Sequence, residues 1–105
     1  MIRSLSFLLI FILMVSVQAQ TTGKIAGNIL DKNTGEGLAG ANVYLEGTTY
    51  GAATDVYGDF FIINIPPGNY TVVISMIGFE RVKMELRVSV NRTSDASFEL
   101  NDATI

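Results

Sequence analysis

Carboxylates and tyrosines are the side chains through which this chain could do chemistry, because its 105 residues include no His, Cys or Trp. Asp31, Asp55 and Asp59 lie in polar, glycine-containing segments, and calcium takes its oxygen ligands from loops of this kind. The dense D-x-D-x-D-G spacing of a calcium loop is missing, which favours ordinary turn chemistry for all three carboxylates. Asp55 and Asp59 make a poor acid–base pair, since they lie across a polar loop with no apolar pocket nearby.

The tyrosines offer a second candidate site. Tyr44, Tyr50 and Tyr57 lie close in sequence and would suit an aromatic platform for a sugar or a peptide. Partial burial is the simpler interpretation, since tyrosine is intermediate between core and surface residue types. The sequence identifies no catalytic, cofactor-binding or metal-binding residue, and we predict that the protein is not an enzyme and uses no cofactor.

The missing residue types exclude several function classes. Without His and Cys the chain has no Ser-His-Asp triad, no Cys-His dyad, no zinc site built from these ligands and no disulfide framework. Seven basic against ten acidic residues give a formal charge of −3, and the basic residues form no cluster that would indicate nucleic-acid binding. The sequence therefore describes a small acidic domain that packing alone must hold together.

The N-terminal segment has the three-part layout of a secretory signal peptide. Arg3 supplies a positive charge, residues 5–17 form an almost unbroken apolar run, and Val17-Gln18-Ala19 offers a small-residue cleavage site. This run is shorter than the roughly 20 residues that a membrane-spanning helix needs, so an uncleaved anchor is the weaker alternative. We predict a signal-peptide helix over residues 1–19, with cleavage after Ala19 and export of the chain.

After residue 20, apolar residues recur at every second position, the period of a β-strand with one buried face. The clearest alternation runs from Arg81 to Val90. Its apolar residues lie on one face of the strand, and its charged residues lie on the other face, which is predicted to be solvated. Residues 60–63 are apolar at every position, which predicts a strand covered on both faces. Two earlier strands present one apolar face each, formed by Ile25 and Ile29 and by Ala41, Val43 and Leu45. The predicted core includes Val72, Ile74, Val82, Met84, Leu86 and Phe98.

Turn signals separate these runs at intervals of about 8–12 residues. Residues 55–59 are typical of a hairpin loop, with Gly58 at the position that needs a positive φ. Pro66-Pro67-Gly68 reverses the chain and places Tyr70 just past a tight corner, where its hydroxyl could bond the backbone upstream. About seven strands with such turns predict an all-β, seven-stranded antiparallel β-sandwich with Greek-key connections. A small β-barrel is the alternative, since a barrel and a sandwich produce the same burial pattern in a sequence.

Three groups of residues form a constellation that resembles one known family. The first group is Gly27, Asp31, Thr34, Gly35, Leu38, Gly40, Ala41 and Val43. The second is Gly51, Thr54, Asp55, Gly58, Phe60, Ile62, Ile65, Pro66, Pro67, Gly68, Tyr70 and Val72. The third is Ser75, Gly78 and Phe79. Their order and spacing closely resemble the carboxypeptidase-regulatory-like family.

The resemblance implies a transthyretin-like (prealbumin-like) sandwich over residues 23–100, after a short lead-in at residues 20–22 and before the start of a linker at residues 101–105. Domains of this family follow the catalytic domain of metallocarboxypeptidases, or stand directly after the signal peptide of bacterial TonB-dependent outer-membrane receptors. The order of signal peptide and then domain matches the receptor arrangement. The chain after Phe98 is then expected to be a tether to the next domain.

From this resemblance we expect a non-catalytic accessory or docking domain of an exported envelope protein, the N-terminal part of a TonB-dependent receptor. The expected location is the periplasm or outer membrane of a Gram-negative bacterium, and the domain itself would not span the membrane after signal removal. The expected partners are proteins, namely the downstream plug and barrel domains or envelope machinery, which could pair with open strand edges. The alternative is a stand-alone carbohydrate-binding-like module in the periplasm or outside the cell.

Overall fold

Eight β-strands and no helix make up the part of the chain that the computed structural model describes, residues 21–103. The strands are β1 (Gly23–Asp31), β2 (Asn42–Leu45), β3 (Gly51–Ala53), β4 (Asp59–Ile65), β5 (Gly68–Ser75), β6 (Val82–Val88), β7 (Thr93–Asp95) and β8 (Phe98–Leu100). They form two sheets that pack face to face, which confirms the predicted all-β sandwich. The predicted signal-peptide helix at residues 1–19 lies outside the described residues.

The arrangement differs from the predicted seven-stranded antiparallel sandwich, because the described residues form eight strands and not all of them pair antiparallel. The first sheet has the order β4-β1-β7, with β8 also paired to β1, and the second has the order β3-β2-β5-β6. β1 pairs antiparallel with β4 but parallel with β7 and β8, so the first sheet is mixed. β7 and β8 are separate strands, because the Ser97 hydroxyl between them accepts a 3.1 Å hydrogen bond from the Asn28 N–H in place of a ladder carbonyl.

Side chains from both sheets meet in one core, which confirms most of the predicted inward positions. The confirmed residues are fully buried: Ile25, Ile29, Ala41, Val43, Leu45, Val72 and Ile74. Three predicted core residues pack against this cluster but are only partly buried: Val82, Met84 and Leu86. All three lie on β6, which is an edge strand of the second sheet. The prediction for Phe98 is wrong, since its side chain is 37 % exposed at the margin of the first sheet.

β4 corrects the prediction that residues 60–63 are covered on both faces. Phe60 and Ile62 point into the core, whereas Phe61 and Ile63 are 68 % and 62 % exposed on the outer face of the first sheet. Among the described strands β4 pairs only with β1, so it is an edge strand. A β-bulge follows at Asn64, whose φ of 57° shifts the register and returns the next side chain to the core.

The chain enters and leaves this sandwich at opposite ends. At one end, the Thr22 carbonyl accepts a 2.9 Å hydrogen bond from the Asn91 N–H in the turn between β6 and β7. At the other end, the Ala103 N–H donates a 3.0 Å hydrogen bond to the Gly78 carbonyl in the turn between β5 and β6. This arrangement follows because β7 runs parallel to the start of β1 and β8 runs parallel to its end, so the chain leaves the first sheet at the end opposite Thr22.

The stretch after Phe98 is part of the folded unit, which corrects the expectation of a loose tether. Leu100 is fully buried in the core. Beyond it, Asp102 forms a bridge with Phe79, and the Glu80 N–H donates a 2.8 Å hydrogen bond to the Asn101 carbonyl. The backbone through residue 103 therefore stabilises the turn between β5 and β6 and contributes to the sandwich.

Candidate functional site

The loop between β3 and β4 holds the first candidate carboxylate. These two strands lie in different sheets and do not pair, which corrects the hairpin predicted around residues 55–59. Asp55 Oδ1 accepts hydrogen bonds from the Tyr57 N–H at 2.9 Å and from the Asp59 N–H at 3.0 Å. Gly58 has a φ of 85°, as predicted for this position. An added Cβ there would also lie 2.3 Å from the Ile29 carbonyl oxygen, so the loop packs too closely for a side chain. The Asp55 carboxylate thus closes its own loop.

The other two carboxylates are also bonded by the protein. Asp59 Oδ1 accepts a 2.8 Å hydrogen bond from Asn28 Nδ2, which links β4 to β1 across the first sheet. Asp31 Oδ1 accepts a 2.9 Å hydrogen bond from the Asn33 N–H within its own turn. Residues 21–103 contain no group of three or more His, Cys, Asp or Glu side chains placed to hold a metal ion. The geometry supports turn chemistry for Asp31 and Asp55, whereas the Asp59 carboxylate joins two strands, which corrects the turn role predicted for it. The three carboxylates do not converge on one site.

Thr54 is a buried polar residue, only 6 % exposed. Its hydroxyl accepts a 2.8 Å hydrogen bond from the Ala41 N–H and donates to the Leu38 carbonyl. The Gly40 N–H adds a 3.0 Å bond to the Thr54 carbonyl. Thr54 therefore holds the long loop between β1 and β2 against the loop between β3 and β4, a contact between segments that no local motif could reveal.

The corner tyrosine is confirmed. The Tyr70 hydroxyl donates a 2.6 Å hydrogen bond to the Pro66 carbonyl, four residues upstream. Its partly buried ring packs against the core cluster, so the bond fixes the turn between β4 and β5 to the body of the sandwich. This tyrosine has a structural role.

The structure brings together two of the three tyrosines proposed as an aromatic platform. Tyr44 and Tyr50 are half-buried and line a shallow recess on the second sheet, together with Asn42, Ser75 and Arg81. Tyr57 does not line this recess, because it lies on the loop between β3 and β4. A smaller aromatic surface with one guanidinium therefore replaces the predicted three-residue platform.

The predicted solvated face of β6 is confirmed and has an added role. Lys83 lies opposite Val73 of β5, and Tyr44 of β2 lies opposite Val73 on the other side. Val73 is only 1 % exposed although it points away from the core. The ammonium of Lys83 is 2.9 Å from Glu46 Oε2, and both side chains are half-exposed. The stems of the flanking side chains thus cover an apolar residue on the outer face of this sheet.

Sequence reasoning missed the outer face of the first sheet as a candidate binding surface. Phe61 and Ile63 lie there on an edge strand, beside Ala26 and Lys24 of β1. A signal for it was present, since four consecutive apolar residues on a strand must put two on each face. The pattern alone does not tell which face is covered.

The family described as CarboxypepD_reg-like domain has a model that matches residues 25–105 of this chain. No curated protein matches the chain. Within residues 21–103 there is no helix of the length and apolarity needed to cross a membrane.

Several solved structures are similar to this chain. The TIE protein of Bacillus anthracis is 20 % identical with a TM-score of 0.67, over 79 % of this chain and 17 % of that one. The Cohesin-X-Dockerin complex from Acetivibrio cellulolyticus is 29 % identical with a TM-score of 0.58, over 71 % of this chain and 51 % of that one. The 5-hydroxyisourate hydrolase of Klebsiella pneumoniae is 20 % identical with a TM-score of 0.61, over 78 % of this chain and 92 % of that one. The chain spans about half of the length of the matched chain in the Cohesin-X-Dockerin complex, and less than a fifth of the length of the TIE protein.

Proposed function

Because this chain belongs to the CarboxypepD_reg-like domain family, we propose that it is a non-catalytic accessory or docking domain of an exported envelope protein. The observation that carries the proposal is the placement of its two ends at opposite ends of one sandwich. A domain of this shape stands in line between the segments before and after it. The nine residues of β1 would hold those segments roughly 30 Å apart, at about 3.3 Å per residue.

The polar side chains of the described residues support a non-catalytic role. Asp31, Asp55, Asp59, Thr54 and Tyr70 all bond the backbone or a neighbouring strand, so each has a structural task. The chain also lacks the His and Cys from which nucleophile–base pairs are commonly built. The similar hydrolase, at 20 % identity, shares the fold alone.

Within this proposal, the exported protein is a TonB-dependent outer-membrane receptor of a Gram-negative bacterium, and this domain is its N-terminal periplasmic part. The predicted signal peptide at residues 1–19, directly before the domain, supports this order. The partners would be the plug and barrel domains that follow, or envelope machinery. The similarity to a Cohesin-X-Dockerin complex is consistent with a protein-interaction domain.

Deleting residues 23–100 from the full-length protein, with the export signal retained, tests the docking role. We expect the barrel still to assemble in the outer membrane, while uptake of the substrate or its regulation weakens. Mass spectrometry of the mature protein should find Gln20 at its N-terminus. Unchanged uptake after the deletion would contradict the docking role, and an envelope protein that still begins at Met1 would contradict the export signal.

A second candidate function, carbohydrate binding, is favoured by the recess that Tyr44, Tyr50 and Arg81 line. Small-molecule sites are commonly lined by aromatic side chains with a few polar groups that fix the orientation of the ligand, and this recess offers both. Calorimetry with oligosaccharides on the wild-type protein and on Tyr44→Ala separates the two functions. Saturable binding in the wild type that Tyr44→Ala abolishes would establish the binding module, and no heat in either protein would remove it.

A further inference from the structure

The open edge of β4 is unusually apolar for an exposed strand. Phe61 and Ile63 alternate on its outer face, and residues 60–65 include no Lys, Arg, Glu or Pro. Proteins commonly protect such edges with charges, prolines or bulges, because an open edge pairs readily with another strand. Here the bulge at Asn64 comes only after the two exposed residues. The segment from Phe61 to Ile63, which we call the apolar edge, is thus left without these protections.

The backbone of the apolar edge is also free to pair. The Ile29 N–H donates a 2.8 Å hydrogen bond to the Gly58 carbonyl, which fixes the alternation of the β1–β4 ladder. In that alternation Phe60 and Ile62 bond β1, while Phe61 directs its N–H and C=O, and Ile63 its N–H, away from β1. None of these three groups has a hydrogen bond within residues 21–103. They point to the side where a further strand would lie.

Charge is distributed unequally along this edge. Asp59 stands at the start of β4, with Asp55 behind it in the loop. At the other end, Ile63 shares a shallow recess with Lys24 and Arg92. The apolar edge therefore lies between an acidic end and a basic end.

We propose that the apolar edge of β4 pairs antiparallel with the same edge of a second copy of this chain. Antiparallel pairing about a two-fold axis sets the acidic end of each copy against the basic end of the other, whereas a parallel arrangement would set like charges together. The edge is thus complementary to itself in charge as well as in backbone hydrogen bonding. The four-stranded sheets of the two copies join into one continuous sheet.

The register follows from the free backbone groups. With Phe61 opposite Ile63 of the other copy, the Ile63 N–H of each copy donates to the Phe61 carbonyl of the other. The same register packs each phenyl ring against an isoleucine on the outer face. Asp59 then lies beside the recess that Lys24 and Arg92 line on the other copy. Because only two large apolar side chains per copy are covered, the dimer is weak and requires high protein concentration.

Sedimentation equilibrium of the purified protein tests this at concentrations up to about 1 mM. We expect the wild type to show a monomer–dimer equilibrium that weakens with salt. Phe61→Lys should raise the dissociation constant at least tenfold. Ile77→Lys adds the same charge at a residue that is 99 % exposed in the β5–β6 turn, and it should leave the constant within twofold of wild type.

A charge-reversal pair tests the antiparallel arrangement. Lys24→Glu places a negative charge near Asp59 of the other copy and should weaken the dimer several-fold, whereas Arg87→Glu, on the second sheet, should not. If circular dichroism shows that Phe61→Lys does not fold, Ile63→Thr is the variant to use in its place, because threonine also favours a strand. The proposal would be overturned if the wild type stays monomeric at the highest concentration. It would also be overturned if Phe61→Lys or Lys24→Glu changes the dissociation constant no more than its control, Ile77→Lys or Arg87→Glu.

Discussion

Val73 and Phe61 both point away from the core, yet Val73 is 1 % exposed and Phe61 is 68 % exposed. Val73 lies on β5, an inner strand of the second sheet, and has Tyr44 on one side and Lys83 on the other. Phe61 lies on β4, the edge of the first sheet, and its only described neighbour across the ladder is Ala26. The outer face of one sheet is therefore covered by its own side chains, and that of the other is open.

The comparison teaches that the neighbours of an outward apolar residue decide whether it is buried. A long side chain on each adjacent strand can fold over a central residue and remove it from water, even when the tips of those side chains stay solvated. An alanine on one side and no strand on the other leave an aromatic ring in water. The hydrophobicity of the residue itself does not distinguish the two cases.

The largest difference should appear between isoleucines on the inner and outer faces. Ile74→Ala removes a fully buried side chain and leaves a cavity, so it should lower the free energy of unfolding by about 2–5 kcal/mol. Ile63→Ala makes the same chemical change at an exposed position and should stay within about 0.5 kcal/mol in the monomer. Urea unfolding at low protein concentration measures both. Equal losses would show that the outer face of the first sheet is covered in solution.

Much of this burial pattern could be predicted from alternation alone. Ile25, Val43 and Ile74 were placed correctly, because polar neighbours on the same strands mark the wet face. Phe61 could not be placed, because an unbroken apolar run contains no polar residue to mark a face. Phe98 follows the alternation of its strand, but the pattern does not reveal that its strand lies at a sheet margin.

The candidate site was predictable to the same degree. The Tyr70 corner follows from four residues of local sequence, and so do the Asp31 and Asp55 turns. The Thr54 contact joins segments 13 and 16 residues apart, and the recess at Tyr44 and Arg81 joins separate strands of a sheet. Such contacts depend on strand order, which hydrophobic periodicity does not specify.

A smaller effect is expected at Val73, and it tests the covered outer face directly. Val73→Ala deletes two methyl groups from a buried site outside the main core, so the loss in unfolding free energy should be about 1–2 kcal/mol. Val90→Ala is the matched control, because Val90 is 43 % exposed and should lose no more than about 0.5 kcal/mol. If urea unfolding gives Val73→Ala a loss as small as the control, the side chains over Val73 do not exclude water in solution.

The smallest expected effect separates the two ways in which Lys83 acts on this face. Its ammonium pairs with Glu46 at 2.9 Å, but both side chains are half-exposed, so the pair should contribute at most about 1 kcal/mol. Lys83 is also the direct cross-strand partner of Val73, so we expect its methylene stem to stabilise the protein through contact and not through charge. Lys83→Met keeps an unbranched apolar stem without the charge, and Lys83→Ala removes both. We expect urea unfolding to place the stability of Lys83→Met within about 0.5 kcal/mol of wild type and that of Lys83→Ala below wild type by up to about 1 kcal/mol.

Glu46→Gln is the control, because it breaks the ion pair and leaves the Lys83 stem in place, and its stability should match that of Lys83→Met. If Lys83→Met instead loses as much as Lys83→Ala, the ion pair and not the stem holds the cover in place, and high salt should then reproduce the loss in the wild type.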